Sequence, residues 1–132
     1  MCFNTRKLHN ELINMKASVK WINEGLFLGT SESGHSIILD ANEAQAPCPL
    51  EAVLISLGSC SSVDVVNILQ KAKQEVNGCT VEIRGTPVNE VPKLFSNIHL
   101  HFIVTGLDIK EKHVARAVNF SADKYCSVAL ML

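Results

Sequence analysis

The feature that most constrains this chain is one long segment, residues 49–73, in which only Gly58 weakens a continuous helical pattern. Pro49 suits the first turn of a helix, because its missing N–H would have no partner there. The segment therefore predicts a single helix of about 25 residues, or about 37 Å. Between Leu50 and Leu69, apolar residues occur nearly all the way round this helix. Such a helix is buried on most sides, either in a core or against a second chain.

Alternating apolar and polar residues predict β-strands on both sides of the helix. Turn signals separate the strands, and Gly is present in each turn. Before the helix we expect three strands, at residues 17–21, 26–28 and 36–39, with turns at 23–25 and 33–34. After it we expect a turn at residues 77–78 and two strands, at 79–84 and 98–104.

The end of the chain carries a second helical signal. Asp108 and Glu111 have the spacing of a capping box, which predicts a last helical region from Ile109. The order of elements is then βββ-α-ββ-α. This order predicts an α+β fold with antiparallel sheet and one long central helix.

Length and charge narrow the class of protein. The chain has 132 residues, which fits one domain, and 47% of them are hydrophobic, which excludes intrinsic disorder. With 12 basic and 13 acidic side chains, we expect no basic surface that would bind nucleic acid or an anionic membrane. The longest nearly uncharged stretch, residues 54–64, is too short to span a bilayer, and the N-terminus lacks the apolar region of a secretory signal. We therefore expect a cytoplasmic protein.

The five cysteines are odd in number and widely spaced, unlike the disulfide framework of a secreted domain. Cys60 lies in the middle of the predicted helix, where apolar neighbours and Asp64 at i+4 would raise its pKa. From the residues alone, Cys60 and Cys126 are each interpreted as core cysteines. Cys48 precedes a helix N-terminus, which favours reactivity, but a loop cysteine without a role is the preferred interpretation. Cys2 and Cys79 are assigned no chemistry.

The other motifs give little evidence for a catalytic or metal-binding site. Residues 58–62 (GSCSS) are similar to a nucleophile elbow but lie inside a helical pattern. His99 and His101 share a face of one strand, yet zinc needs a third or fourth ligand. We interpret the two histidines as part of a solvated strand face, shared with Glu82 and Arg84. Neither a metal nor a cofactor is predicted.

Three segments taken together resemble the OsmC/Ohr family, the osmotically inducible protein C and organic hydroperoxide resistance group. They are residues 49–51 (PLE), 57–64 (LGSCSSVD) and 124–128 (KYCSV). The resemblance covers residues 15–132 as a single domain and is closest to the small bacterial OsmC-like proteins. It implies that residues 1–14 are an N-terminal extension. It also implies an intertwined homodimer around two long central helices.

The resemblance implies a thiol peroxidase that reduces organic hydroperoxides. Cys60 would then attack the peroxide and become a sulfenic acid, Cys126 would resolve it as a disulfide, and a dithiol would restore both thiols. Glu51 would be a polar orienter of this pair. The alternatives are a non-enzymatic homodimer that binds a small apolar ligand or partner at the interface cleft, and a purely structural dimer.

The chain departs from the peroxidase pattern at several positions. Leu50 stands directly after the proline, where the peroxidases have a glutamate, and Glu51 follows one residue later. The peroxidases also carry an arginine on an N-terminal strand, whereas this chain has Lys16 and Lys20 there. Lysine does not reproduce the bidentate geometry of a guanidinium. Ser127 replaces the proline that many relatives have after the second cysteine.

Overall fold

The computed structural model describes residues 15–132. The chain divides into two compact units, one that ends at Pro49 and one from Leu50 to Leu132. In chain order the elements are three strands, a long helix, two strands, a helix, a π-helical turn and a short helix. Every strand pairing is antiparallel. The predicted α+β class and the βββ-α-ββ-α order are therefore confirmed.

The first unit holds a three-stranded antiparallel meander in the order β1-β2-β3. A turn joins each pair of strands, as the sequence predicts. Glu24 has a φ of 45° in the first turn, and Gly34 has a φ of 87° in the second, a value that glycine adopts without strain. The strand bounds are β1 Ala17–Asn23, β2 Leu26–Ser31 and β3 Ser36–Asp40.

Asp40, at the end of β3, organises the loop that follows. Its side chain is buried, with 3% exposure. Its carboxylate accepts backbone N–H bonds from Asn42 at 2.8 Å, Ala44 at 3.1 Å and Gln45 at 3.0 Å. The bonds from Asn42 and Gln45 are the largest influences on the pKa of Asp40 and hold it below its usual range, although burial acts in the opposite direction.

The second unit pairs two long strands and packs helices on them. The strands are β4 Glu75–Pro87 and β5 Phe95–Leu107, and the long helix is α1 Pro49–Lys71. A Cβ atom at the buried Gly58 would meet the terminal methyl group of Ile83, so α1 packs closely on β4 at this position. The core is centred on Val65, Leu69 and Ala117 and is completed by Ile68, Val76, Phe102, Val104, Val114 and Val118.

Helix α1 ends two residues before the predicted limit because Lys73 takes a left-handed conformation, with a φ of 60°. The N–H of Gln74 bonds the carbonyl of Leu69 at 2.9 Å, and the N–H of Lys73 bonds that of Gln70 at 3.0 Å. These two bonds form a Schellman motif with lysine in the position where glycine is usual. The prediction of a turn at residues 77–78 was wrong, since both lie within β4 beside a register shift.

Apolar side chains of α1 occur on both its buried and its exposed sides. Leu57 and Leu69 are buried by the second unit, whereas Ile55 and Val63 lie beyond the edge of that buried side and are each 58% exposed. By length and composition alone, α1 could cross a membrane, although the stretch 54–64 by itself could not. The core helices of globular proteins meet the same criterion. The predicted all-round apolar character is confirmed, and much of it is left uncovered within one chain.

The last part of the chain differs from the predicted single helical region. Helix α2 is Glu111–Phe120, the π-helical turn is Ser121–Tyr125, and helix α3 is Ser127–Met131. The capping box was wrong, because Asp108 has a φ of 52° and the helix begins after Lys110, whose side chain makes no capping bond. Instead, the side-chain oxygen of Gln74 accepts the Lys110 N–H at 3.2 Å.

Candidate functional site

The two cysteines of the family motif are neighbours in the folded chain. The Sγ atoms of Cys60 and Cys126 and one carboxylate oxygen of Asp64 all lie within 4.8 Å of one another. Cys60 and Asp64 share a face of α1 because they are separated by one helical turn. Cys126 has an extended backbone, with φ −76° and ψ 105°, between the π-helical turn and α3. This group of three residues, Cys60, Asp64 and Cys126, is the thiol cluster.

Hydrogen bonds hold the thiol cluster in place. The Ser61 hydroxyl donates to the Cys126 sulfur at 3.3 Å, and the Ala129 N–H donates to the same sulfur at 3.4 Å. The Ser121 hydroxyl can donate to two acceptors, the Ser61 carbonyl oxygen at 3.3 Å and Asp64 Oδ2 at 3.5 Å. Ser61 and Ser121 are both buried. They therefore serve as fixed donors rather than as solvated surface groups.

The environment separates the pKa values of the two thiols. Burial is the largest influence on Cys126 and raises its pKa, but donors outweigh it, led by the Ser61 hydroxyl and the Ala129 N–H, so the pKa of Cys126 is lowered. For Cys60 the Val128 N–H is the largest influence and lowers the pKa. The hydrogen bond with Cys126, burial and the Cys126 charge outweigh that bond, so the pKa of Cys60 is raised. These influences favour ionisation of Cys126 over ionisation of Cys60.

Exposure distinguishes the two thiols in a second way. Cys126 is completely buried, with 0% exposure, whereas Cys60 is half-buried. The prediction that Cys126 is buried is confirmed. The pKa of Cys60 is raised as predicted, but the causes are Cys126 and burial, and Asp64 is not among them. A reactant that enters from solvent meets Cys60 first.

Glu51 lies outside the thiol cluster within one chain. Its side chain is exposed in the first turn of α1. Cys60 follows nine residues later in the same regular helix, which corresponds to about 13.5 Å along the axis and about half a turn of rotation. Glu51 and Cys60 of one chain therefore point away from each other.

The remaining cysteines and the histidine pair are placed as follows. Cys48 is half-buried directly before α1, Cys79 is half-buried in β4, and Cys2 lies outside the described residues. His101 stands opposite Glu82, with 3.8 Å between Nδ1 and Oε2, and His99 stands opposite Arg84. All four of these paired side chains are exposed. The prediction of a solvated strand face is confirmed.

Two cavities border the thiol cluster. A cavity of about 190 Å³ has Ser61, Ser121 and Ala129 on one side, and its apolar lining is Leu57, Leu100, Phe102, Val118 and Ala122. A wider cleft of about 490 Å³ includes the Asp64 side chain and is otherwise lined by Asn67, Ile68, Lys71, Ala72, His113, Arg116 and Phe120. The Arg116 guanidinium lies 5.2 Å from the centre of the Phe120 ring. The small cavity thus borders hydrogen-bond partners of the cluster and is mostly apolar, whereas the wider cleft contains Asp64 together with the cations Lys71 and Arg116.

Sequence reasoning missed the buried hydroxyl of Ser121. It stands 60 residues from Ser61, and nothing in the local pattern joins them. Asp64 was interpreted only as a charge that disfavours a thiolate, whereas its oxygen is placed within reach of both sulfur atoms. Only the long-range packing of the C-terminal segment against α1 brings these groups together.

Comparison with known proteins gives one consistent result. The sequence profile described as OsmC-like protein matches residues 42–132. The chain is 55% identical over 119 residues to Protein YhfA of Escherichia coli strain K12, covering 89% of each chain. It is also 32% identical to a hypothetical protein from Aquifex aeolicus VF5, with a TM-score of 0.82, covering 91% of this chain and 87% of that one.

The chain also resembles a more distant structure, that of an organic hydroperoxide resistance protein, OsmC, from Legionella pneumophila, with a TM-score of 0.67 and 15% sequence identity. The match covers 92% of this chain and 90% of that one. At this identity the likeness establishes a shared fold.

Proposed function

Because the chain belongs to the OsmC-like protein family, we propose that it reduces organic hydroperoxides with the Cys60 and Cys126 thiols. The observation that carries this proposal is the approach of the two sulfur atoms, which lie within 4.8 Å of each other. Sulfur atoms this close can form a disulfide after a small movement. The fold shared with the Legionella hydroperoxide resistance protein supports the same chemistry.

The roles of the two thiols follow from exposure and pKa. Cys60 is the half-buried thiol, so the peroxide reaches it, and Cys126, whose pKa is lowered, accepts its proton as the sulfur attacks the terminal peroxide oxygen. The O–O bond breaks, Cys60 becomes a sulfenic acid, and the leaving alkoxide takes the proton back from Cys126 and departs as an alcohol. The Cys126 thiolate then attacks the Cys60 sulfur, and the hydroxide that leaves takes a proton from solvent as the disulfide forms. An external dithiol reduces the disulfide and is itself oxidised.

The small cavity beside the cluster supports an apolar substrate. At about 190 Å³ it has room for a short alkyl or aryl group, and Leu57, Phe102 and Val118 are in its lining. Burial of such a group is favourable by about 25 cal/mol per Å² of apolar surface. Hydrogen peroxide gains nothing from this cavity, so organic hydroperoxides react faster.

A homodimer completes the proposal. Ile55 and Val63 are exposed on α1, and Val19 and Trp21 are exposed on β1 at 69% and 63%. Apolar patches of this kind mark protein interfaces. Since Glu51 points away from Cys60 of its own chain, it acts as a polar orienter of the thiol pair only when the dimer forms.

We propose in addition that the protein is cytoplasmic. Residues 15–132 form a single domain, and residues 1–14 are an N-terminal extension.

The test is a titration of fully reduced protein with cumene hydroperoxide, followed by disulfide mapping with mass spectrometry. We expect one Cys60–Cys126 bond per chain, formed faster than with hydrogen peroxide. Cys60→Ser should abolish peroxide consumption, Cys126→Ser should stop at a sulfenic acid, and Cys48→Ser is the matched control that keeps the wild-type rate. Unchanged consumption in Cys60→Ser would refute the proposal.

A second candidate function uses the wider cleft. Its volume of about 490 Å³ falls in the range of small-molecule sites, and Ile68 and Phe120 are combined in it with the cations Lys71 and Arg116. These groups suit a small apolar ligand with an anionic end, held by a protein without peroxidase activity. A rise in melting temperature with fatty acids, lost in Arg116→Ala, would favour this function, and the absence of any shift would remove it.

A further inference from the structure

We propose that the thiol cluster is also a binding site for one thiophilic divalent cation of the Zn²⁺ class, with Cys60, Asp64 and Cys126 as ligands. Such binding is separate from peroxide reduction, because it takes place in the reduced protein in the absence of any oxidant. It depends on the positions of three potential ligand atoms rather than on the redox chemistry of two.

The geometry suits a tetrahedral ion. The two sulfur atoms and the carboxylate oxygen are mutually within 4.8 Å. With Zn–S distances of about 2.3 Å and Zn–O distances of about 2.0–2.2 Å, a tetrahedral centre holds such atoms roughly 3.5–3.8 Å apart. Movements of about 1 Å or less therefore close the site around an ion. Rotation of the Cys60 and Asp64 side chains on α1 can supply them.

The ligand types select the metal. Thiolates favour zinc over magnesium or calcium, whose sites are built from oxygen ligands alone. Two thiolates and one carboxylate give three protein ligands, which leaves one coordination position for water or a small molecule. Binding replaces the protons of Cys60 and Cys126, which pass to solvent.

Hydrogen bonds already orient two of the three ligands. The Ser121 hydroxyl lies 3.5 Å from one Asp64 oxygen, and the Ser61 hydroxyl donates to Cys126 at 3.3 Å. Such outer partners fix the direction of metal ligands, and their loss typically lowers affinity about 10–100-fold. Both hydroxyls are buried, so water does not compete for them.

The surroundings balance the charge and provide access. Three anionic ligands around a divalent ion leave a net charge of about −1. Lys71 and Arg116 line the same cleft as Asp64 and supply positive charge. The cleft has a volume of about 490 Å³ and opens Asp64, one of the three ligands, to an ion from solvent.

Metal binding and disulfide formation exclude each other, because both use the electron pairs of the same two sulfur atoms. Zinc at one equivalent should therefore protect Cys60 and Cys126 from oxidation while leaving Cys48 and Cys79 as reactive as before. The site would thus hold the pair in a reduced, unreactive state until the ion leaves.

The test uses the full chain, reduced and free of peroxide. Titration with Co²⁺, a spectroscopic substitute for zinc, should give a thiolate-to-metal charge-transfer band that saturates at one ion per chain, and Zn²⁺ should displace it. Asp64→Asn should weaken binding at least about tenfold, since it removes a direct ligand. Cys60→Ser and Cys126→Ser should each lose the two-thiolate band, while Cys79→Ser, the control, should keep it.

Zinc-edge X-ray absorption on wild-type protein gives a second readout that needs no variant. The expected coordination is two sulfur atoms and two oxygen or nitrogen atoms. Absence of the charge-transfer band, no sulfur in the first shell, or equal loss in Cys79→Ser would overturn the proposal. Because binding is measured without peroxide, failure of the metal site and failure of peroxide reduction are separate results.

Discussion

The Ser61 hydroxyl donates a hydrogen bond to the Cys126 sulfur over 3.3 Å, although 65 residues separate the two in the sequence. Ser61 directly follows Cys60 in α1, so one turn of helix carries both a thiol and the donor to its partner. The bond does two things. It lowers the pKa of Cys126, and it ties the C-terminal segment to the long helix.

Replacing Ser61 with alanine tests the electrostatic part of that bond. A hydrogen bond to a charged group contributes about 1.5–3 kcal/mol, so we expect the thiolate fraction of Cys126 at neutral pH to fall about tenfold. Because Cys126 is buried, the measurement is the NMR chemical shift of its β-carbon against pH, and the midpoint of that titration should move to higher pH. Ser62→Ala is the matched control, because the Ser62 hydroxyl bonds the Gly58 carbonyl at 2.7 Å and not a sulfur. An equal effect in both variants would contradict the assignment.

Asp40 predicts a specific pH dependence of stability. Its pKa is lowered in the folded chain by the N–H groups of Asn42 and Gln45, so its contribution is complete above the unfolded aspartate value, about 3.9. The contribution is lost as the pH falls from there through the lower folded pKa. Asp40→Asn should therefore be less stable than wild type near pH 7, and the difference should shrink below about pH 4.

Urea unfolding at pH 7, pH 4 and pH 3 measures this difference. Glu32→Gln is the control, since Glu32 is exposed and carries the same change of charge. If the difference in free energy of unfolding between Asp40→Asn and wild type stays constant across the three pH values, the lowered pKa of Asp40 is not its cause.

Leu69 tests the core of the second unit. It is 0% exposed and packs with Val65 and Ala117. Leu69→Ala should lower the free energy of unfolding by about 2–5 kcal/mol, because it leaves a cavity as well as removing buried methyl groups. The exposed neighbour Gln70→Ala should change it by less than about 0.5 kcal/mol. Denaturant unfolding of both variants gives the comparison.

Ile55 and Val63 test the proposed homodimer. Each is 58% exposed in the single chain, on the face of α1 that its own unit leaves uncovered. A lysine in either position would place a charge in the apolar interface, so Ile55→Lys and Val63→Lys should shift the protein to monomer. Light scattering after size-exclusion chromatography measures the mass, and Gln70→Lys is the control. Wild-type protein that is monomeric at every concentration would end the dimer proposal.

Local patterns predicted most of the fold. Period-two alternation located β1, β4 and β5, turn signals bounded the short apolar runs of β2 and β3, and the unbroken apolar segment located α1, because these signals need only neighbouring residues. The errors fall at the ends of elements. Lys73 and Asp108 adopt positive φ without being glycine, so the usual stop and start signals were missing or misleading.

The candidate site was predicted only in part. The resemblance selected Cys60 and Cys126, which packing brings together, but reasoning from each residue alone had interpreted both as core cysteines. Glu51 was chosen from its place in the motif, and helix geometry puts it on another side of α1 from Cys60. The hydroxyl of Ser121 belongs to the site only through tertiary structure, so no sequence period could reveal it.

The extended conformation of Cys126 has a mechanical consequence. Cys60 is fixed within a 23-residue helix, whereas Cys126 stands at the junction between the π-helical turn and α3. Any backbone movement that accompanies a bond made or broken at the cluster is therefore expected in the last few residues rather than in α1. The position of α3 would therefore change with the bonds that the two sulfur atoms make.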